Sequence, residues 1–439
     1  MKQQDKFSSK LGAIAVAAGS AVGLGNIWRF PYILGENGGA AFLLIYILFT
    51  IIIALPVLIS EFSIGRMAGL SATAAFKKLA PGKKWYFIGL SGVLCAFVII
   101  SFYNVVAGWT LYYTYLAIVG DLQSLNEQEV TQLYQQTSSD TTTCIFWMVL
   151  IVGAIAYIVA RGVQDGIEKY SKVLMPLLFL LMIVLCVRSV TLDNASEGLA
   201  FLLNPDFSKL TPTAIFAALG QAFFSLSIGM GVMITYGSYI NKAQNIQRSA
   251  MSIVVIDFIV ALLAGIMIFP CAFSFGISPD SGPGLVFVTL PNIFNKMTAG
   301  HIMSIAFFLL LAIAALTSSI SLFEVLVSFA KAQYGIGRRK ATIIASVLTV
   351  CVGIICAVSP TVFSLFDNVS ANILLPLGAF FIVLFIPIVL GRKRLRKELE
   401  ANGDKCKTFS LLYFLIKFIV PLAIFSLFLY CIVNWLFVN

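Results

Sequence analysis

Residues 18–31 read AGSAVGLGNIWRFP, and residues 225–231 read SLSIGMG. Gly23-Leu24-Gly25 interrupts one long apolar segment, and Gly229-Met230-Gly231 interrupts another. A glycine weakens a helix interior by about 1 kcal/mol relative to alanine, so a G-x-G pair invites the backbone to unwind. In lipid the freed N–H and C=O groups lack partners, which confines such a break to a segment lining a buried polar site. Close helix packing is the other reading, because Gly19-x-x-x-Gly23 is a small-residue contact common in membrane helices.

The surrounding chain is built for lipid. Of its 439 residues 60% are hydrophobic and 11% charged, with a mean hydropathy of +0.97. Soluble domains carry about 25% charged residues, and about 20 apolar residues cross a bilayer as a helix. Apolar runs predict eleven spans, near 11–36, 40–65, 86–119, 143–160, 167–189, 213–239, 246–274, 300–332, 341–358, 368–390 and 408–437. If Lys2, Lys6 and Lys10 are cytoplasmic, so are the loops at 66–84, 161–172, 242–248, 331–340 and 392–407. With the N-terminal tail these loops hold 24 of the 29 Lys and Arg residues. That asymmetry predicts a cytoplasmic N-terminus and an extracellular or periplasmic C-terminus in the plasma membrane. The net charge of +10 then reflects topology, which argues against a nucleic-acid partner. Gly-interrupted and carrying Arg29, the first span is expected to be retained and not cleaved as a signal peptide.

Enzymatic chemistry has little to work with. His301 is the only histidine, seven of the eight cysteines fall in apolar spans without a CxxC pair, and neither HExxH nor GxxxxGK[ST] occurs. Spans one to five and six to ten form halves of similar length, each opening with a glycine-broken helix. Interrupted spans at corresponding positions point to the substrate site of a secondary transporter. Half-helix N-termini there offer N–H groups to a carboxylate, and half-helix C-termini offer carbonyls to cations.

Gly19 through Pro31, Glu36-Asn37-Gly38-Gly39, Gln221 through Gly231 and Leu316-Thr317-Ser318-Ser319 resemble the neurotransmitter:sodium symporter family, in particular its bacterial amino-acid transporters. The resemblance runs from about Leu11 through the tenth span. It implies an all-α membrane protein of eleven transmembrane helices, a 5+5 inverted repeat with broken helices 1 and 6. The whole chain, 1–439, is then one transporter domain, with repeats over 11–190 and 213–391 and an additional helix at 408–437, where many relatives have two. It also implies sodium-coupled uptake of an amino acid by alternating access, with two sodium sites and the lipid bilayer as solvent.

By this resemblance, one sodium site uses the carbonyls of Gly19, Val22 and Ala314 and the hydroxyls of Thr317 and Ser318. The other uses the Ala21 carbonyl, Asn26, Ser225, Asp257 and the substrate carboxylate. All-oxygen ligation suits a hard cation. The carboxylate would also meet the N–H groups of Leu24 and Gly25 and the Tyr103 hydroxyl, and the substrate amino group the carbonyls of Ala21, Phe224 and Ser225 and the Ser227 hydroxyl. Ser20, Ile99, Phe224, Met230, Ser318 and Leu322 would set side-chain selectivity. Arg29 and Asp367 would pair as an extracellular gate above Tyr103 and Phe224, and Gly166 with Pro176 would let the fifth span unwind towards the inner sodium site. An ordinary proline kink remains open for Pro176.

The departures from the family pattern carry information. Asp257 replaces a frequent asparagine, and Ala261 stands where a chloride-independent relative can carry an acid. A lone acid in SIVVIDFIVALLAGI costs roughly 2.5–3.5 kcal/mol on insertion scales and is a functional candidate by default. It would supply the negative charge that makes chloride unnecessary; a helix–helix hydrogen bond is the alternative. Met230 replaces a frequent phenylalanine and is flexible enough to admit bulky hydrophobic or aromatic substrates, although core packing explains it as well. Gln4 and Ala332 occupy the places of an ionic inner gate, leaving Phe7 and Tyr239 to close that end by packing. Glu61 is expected in a buried network with Gln221, Glu324 has no legible role, and 276–298, with Pro279, Pro283 and Pro291, resembles an outer lid. A sodium symporter of the same fold for a non-amino-acid substrate is the competing function.

Overall fold

The computed structural model describes residues 6–123, 125–276 and 285–437, so the expectations on Lys2, Gln4, Pro279 and Pro283 lie outside the described residues. Every regular element among the described residues is helical. The first apolar segment is two helices, α1 (Lys10–Ala21) and α2 (Gly25–Glu36), bent by 48° at the break between them. Ser9 caps α1 by accepting the Gly12 N–H at 3.0 Å, and α2 opens with a wide, π-type turn over Gly25–Arg29. Such turns interrupt α-helices most often at functional sites.

The chain continues through α3 (Ala40–Ala68), α4 (Tyr86–Val119), α5 (Thr141–Ala160) and α6 (Val163–Val190). The second interrupted segment comprises α7 (Pro212–Ser225) and α8 (Val232–Tyr239). Then follow α9 (Ile246–Ser274), α10 (Gly300–Tyr334), α11 (Arg338–Val358), α12 (Pro360–Leu399) and α13 (Phe409–Cys431). Nine of the described helices are each long and apolar enough to cross a bilayer, and the α1–α2 pair makes a tenth span if counted as one. Neither α7 nor α8 qualifies alone: the 14 residues of α7 rise only about 21 Å.

Several loops predicted from hydropathy contain helix. Ala72–Leu79, Glu127–Ser139, Ala195–Leu203 and Leu290–Lys296 are short helices between spans. Glu127–Ser139 begins with a capping box in which Asn126 and Glu129 satisfy each other's backbone N–H groups. The span expected at 368–390 runs instead from Pro360 to Leu399, because Ser359 caps it and Pro360 sits in its first turn. Asp367 therefore lies within a helix and not ahead of one.

Both breaks are packed against intact helices. The second is wider than the glycine pair suggested and covers Leu226–Gly231, with positive φ at Ser227 (52°), Gly229 (87°) and Gly231 (77°). Gly229 has no room for a side chain: a Cβ there would lie 2.5 Å from the Leu375 carbonyl oxygen of α12. Scaffold side chains hold each break. Gln221 Nε2 donates to the Gly25 carbonyl at 2.9 Å, and the Gly229 N–H donates to Glu61 Oε1 at 2.7 Å. Gln221 and Glu61 thus serve different breaks, and the expected network between the two is replaced by these separate ties.

Candidate functional site

The two breaks face each other across a small cavity of about 30 Å³. Ser20, Ala21, Gly23 and Gly25 line it from the first break, Phe224, Ser227 and Met230 from the second, Ile99 and Tyr103 from α4, and Ser318 and Leu322 from α10. Ten of these eleven wall residues are among the twelve substrate contacts expected from sequence. Stated by residue, only Gly23 is new, while the expected Leu24 and Ser225 stand behind the wall. The Leu24 N–H donates to the Tyr103 hydroxyl at 3.2 Å, so the phenol is held at the N-terminal end of α2. A Cβ on Gly23 would come within 2.2 Å of Ser318 Oγ, which explains a glycine at that point. Ser227 donates to the Ser20 carbonyl at 2.9 Å, tying the two breaks together.

Behind this cavity lies a compact polar cluster. Asn26 Nδ2 donates to Asp257 Oδ1 at 2.8 Å and to Ser225 Oγ at 3.1 Å. Ser225 Oγ donates to Asp257 Oδ1 at 2.5 Å, and the Tyr46 hydroxyl to Asp257 Oδ2 at 2.9 Å. All four side chains are buried, yet Asn26 Oδ1 has no hydrogen-bond partner among the described residues. A buried acceptor without a donor is costly, and a carbonyl oxygen beside a carboxylate is the ligand type a hard cation requires. The residues therefore fit a sodium ion. Tyr46 was not anticipated: its only signal is a phenol in the apolar run AAFLLIYILFT.

The residues of the second expected cation set lie at the end of α1 and on α10. Gly19 lies against Thr317, at 3.5 Å from its Cβ to an added methyl, and against Met175 of α6. Thr317 Oγ1 reaches the Ala314 carbonyl at 3.1 Å, and Ser318 Oγ donates to the Ser20 carbonyl at 3.3 Å. Val22 is buried at the end of α1. Met175 precedes Pro176, so α6 flanks this set. Gly166 falls in a π-type turn over Val163–Glu168, and Pro176 lies inside a helix that continues to Val190; α6 is one continuous span in this conformation.

The gates differ from expectation. Among the described residues Arg29 and Asp367 form no ion pair within 4.0 Å; the Arg29 guanidinium lies 4.5 Å from the centre of the Phe224 ring, a cation–π contact over the cavity. At the opposite end, the Phe7 N–H donates to the Tyr239 carbonyl at 3.1 Å and the two rings meet edge-on at 5.8 Å. Glu324 acquires a place here. It accepts from the Tyr239 hydroxyl at 2.6 Å and pairs with Arg338, whose Nε donates to the Val159 carbonyl at 2.7 Å. Ala332 is exposed and takes no part. Nearby, Glu168 accepts from the Ser8 N–H (2.8 Å) and hydroxyl (2.5 Å) and pairs with Lys172 at 2.6 Å, fastening the N-terminal segment to the π-type turn of α6.

A helical membrane protein whose discontinuous helices enclose a buried oxygen-rich site has the architecture of a secondary transporter. Residues 4–144 and 124–438 match the model of the sodium:neurotransmitter symporter family, and the chain belongs to that family. It is 42% identical to the sodium-dependent transporter YhdH of Bacillus subtilis over 97% of both chains. It is 27% identical to the sodium- and chloride-dependent GABA transporter ine of Drosophila melanogaster, over 93% of this chain and 49% of the other. Its fold matches the crystal structure of MhsT in complex with L-phenylalanine with a TM-score of 0.91 and 43% identity, over 97% of this chain and 99% of that one. The protein is thus a sodium-dependent, multi-pass membrane transporter and not an enzyme.

Proposed function

We propose that this transporter couples sodium entry to uptake of amino acids with bulky hydrophobic or aromatic side chains, without chloride. The observation that carries the reading is the buried Asp257 carboxylate beside Asn26 Oδ1, which has no partner among the described residues, both behind the cavity wall formed by Gly25 and Phe224. A cation held there has one negative charge from the protein, and a substrate carboxylate would bring a second. Asp257 does make helix–helix hydrogen bonds, as the plainer reading requires, but those bonds leave Asn26 Oδ1 unexplained. The apolar side of the cavity, with Ile99, Met230 and Leu322, suits a hydrophobic side chain, and the neighbour of known structure holds L-phenylalanine.

In this reading the substrate carboxylate meets Tyr103 and the N–H groups of Leu24 and Gly25. Its amino group meets Ser227 and the carbonyls of Ala21, Phe224 and Ser225, while Ser20 and Ser318 border its side chain. One sodium is held by the Ala21 carbonyl, Asn26, Ser225 and Asp257, and a second by Gly19, Val22, Ala314, Thr317 and Ser318. Arg29, Asp367, Tyr103 and Phe224 close the outer path, and unwinding of α6 between Gly166 and Pro176 opens the inner one. The sequence halves 11–190 and 213–391 form a 5+5 inverted repeat, with α7 and α8 together as the sixth of eleven spans. The basic loops keep the N-terminus in the cytoplasm and the last helix ends outside the plasma membrane.

The test is uptake of radiolabelled tryptophan and leucine into proteoliposomes under an inward sodium gradient, with chloride present or replaced by gluconate. Concentrative, sodium-dependent uptake that ignores the anion is expected. Absence of saturable uptake across a broad amino-acid panel would favour a non-amino-acid substrate on the same fold.

A further inference from the structure

A groove of about 440 Å³ opens on the outer surface between the start of α4 and the middle of α12. Phe87 of α4 and Leu374, Leu377 and Phe381 of α12 form its walls, with Lys84 and Trp85 at the end from which α4 begins. Trp85 packs edge-on against Phe385 of α12, with ring centres 5.4 Å apart. From that level to Leu374 the groove follows α12 for eleven residues, about 16 Å at 1.5 Å per residue. That is half the thickness of a bilayer's hydrocarbon core, roughly 30 Å. Phe87 and Phe381 are 52% and 41% exposed, so a chain of carbon atoms in the groove would cover surface that protein leaves open.

The rim carries a charge that the described residues do not pair, unlike Lys77 and Lys78 nearby. Lys77 donates to Gln333 at 3.1 Å, and Lys78 to the Ala68 carbonyl at 2.8 Å. The exposed Lys84 ammonium has no hydrogen bond or ion pair among the described residues. Tryptophan marks the membrane–water boundary, and a basic pocket between spans at that level recruits acidic lipid headgroups. The geometry points to a binding site for one anionic glycerophospholipid, its phosphate on Lys84 and an acyl chain along Phe87, Leu377 and Phe381.

The site bears on transport through α12. The same helix touches the second break, where the backbone around Leu375 and Gly378 meets Gly229. A chain filling the groove braces α12 from the lipid side while Gly229 presses it from the cavity side. The lipid is a structural ligand of the wall that shapes the substrate site.

The experiment reads Trp85 fluorescence of the full chain in nanodiscs containing increasing fractions of brominated phosphatidylglycerol or brominated phosphatidylcholine, with Trp85→Phe used to subtract the other tryptophans. Phosphatidylglycerol is expected to reach half-maximal quenching at roughly a fivefold lower fraction, the preference one lysine gives near an acidic headgroup. Lys84→Gln removes that preference, Lys83→Gln retains it, and Leu377→Phe, by filling the groove, weakens quenching by both lipids. Equal quenching by the two lipids in the unsubstituted protein, or an unchanged preference in Lys84→Gln, overturns the proposal. Thermal unfolding of each variant in phosphatidylcholine discs separates loss of the site from loss of the fold.

Discussion

Asp257→Asn isolates the charge of the carboxylate from its shape. The amide keeps an oxygen at the position that accepts from Asn26 (2.8 Å) and Ser225 (2.5 Å), so the packing of α9 is retained. What disappears is one negative charge about 4 Å or less from a cation among these ligands, an interaction of about 4 kcal/mol at an effective dielectric of 20. The Tyr46 hydroxyl, which donates to Asp257 Oδ2 at 2.9 Å, can turn and accept from the new amide, which recovers about 1 kcal/mol. A net loss of roughly 2–4 kcal/mol raises the sodium concentration for half-maximal uptake by about 30- to 1,000-fold. The assay is a sodium titration of phenylalanine uptake in proteoliposomes, balanced with choline, in gluconate and again in chloride. The Tyr46 O–H released from Asp257 is available to an anion, so chloride is expected to restore part of the lost affinity in the variant and none in the unsubstituted protein. A half-saturation shift below about threefold, under 0.7 kcal/mol, in a variant that unfolds at the usual temperature, would refute a role for this charge in holding sodium.

Tyr46→Phe removes one hydrogen bond to a carboxylate, worth about 1.5–3 kcal/mol, and should raise the sodium half-saturation about tenfold or more in the same titration without altering chloride dependence. Gly23→Ala places a methyl 2.2 Å from Ser318 Oγ; radioligand binding in detergent is expected to vanish while the protein still elutes as a folded species. Arg338→Ala leaves Glu324, whose side chain is 0% exposed, without its cation, a change that costs about 3–5 kcal/mol for a buried pair. Thermal unfolding should fall in Arg338→Ala, and Glu324→Gln added to it should recover part of the loss. Ser8→Ala removes a 2.5 Å hydrogen bond to Glu168, and hydrogen exchange of the segment around Phe7–Gly12 should accelerate while that of α10 stays unchanged.

Local chemistry made much of the site legible in the sequence. A G-x-G pair in an apolar run weakens a helix wherever it folds, and an acid such as Asp257 in such a run needs a reason wherever it lands. Those signals are intrinsic to a few adjacent residues, and the resemblance they support led to Ile99, Tyr103, Phe224, Met230 and Leu322, which the fold gathers around one cavity. Hydropathy likewise found the long spans, because crossing lipid demands a stretch of apolar residues and little else. Pairings across the chain had no such signal. Tyr46 finds Asp257 at a separation of 211 residues, Glu61 finds Gly229 at 168, and Ser8 finds Glu168 at 160. A phenol or carboxylate in an apolar run states that it needs a partner and not which one, since the choice depends on how helices distant in sequence are packed. For the same reason Arg29 rests on Phe224 and not on Asp367, and Glu324 takes Arg338 and Tyr239 at the opposite end. A lipid-embedded helical chain with two breaks and an intramembrane acid follows from short stretches of residues. Which groups satisfy each break and each buried charge follows from packing, because hydrogen bonds and ion pairs form between positions that folding alone brings within 3 Å.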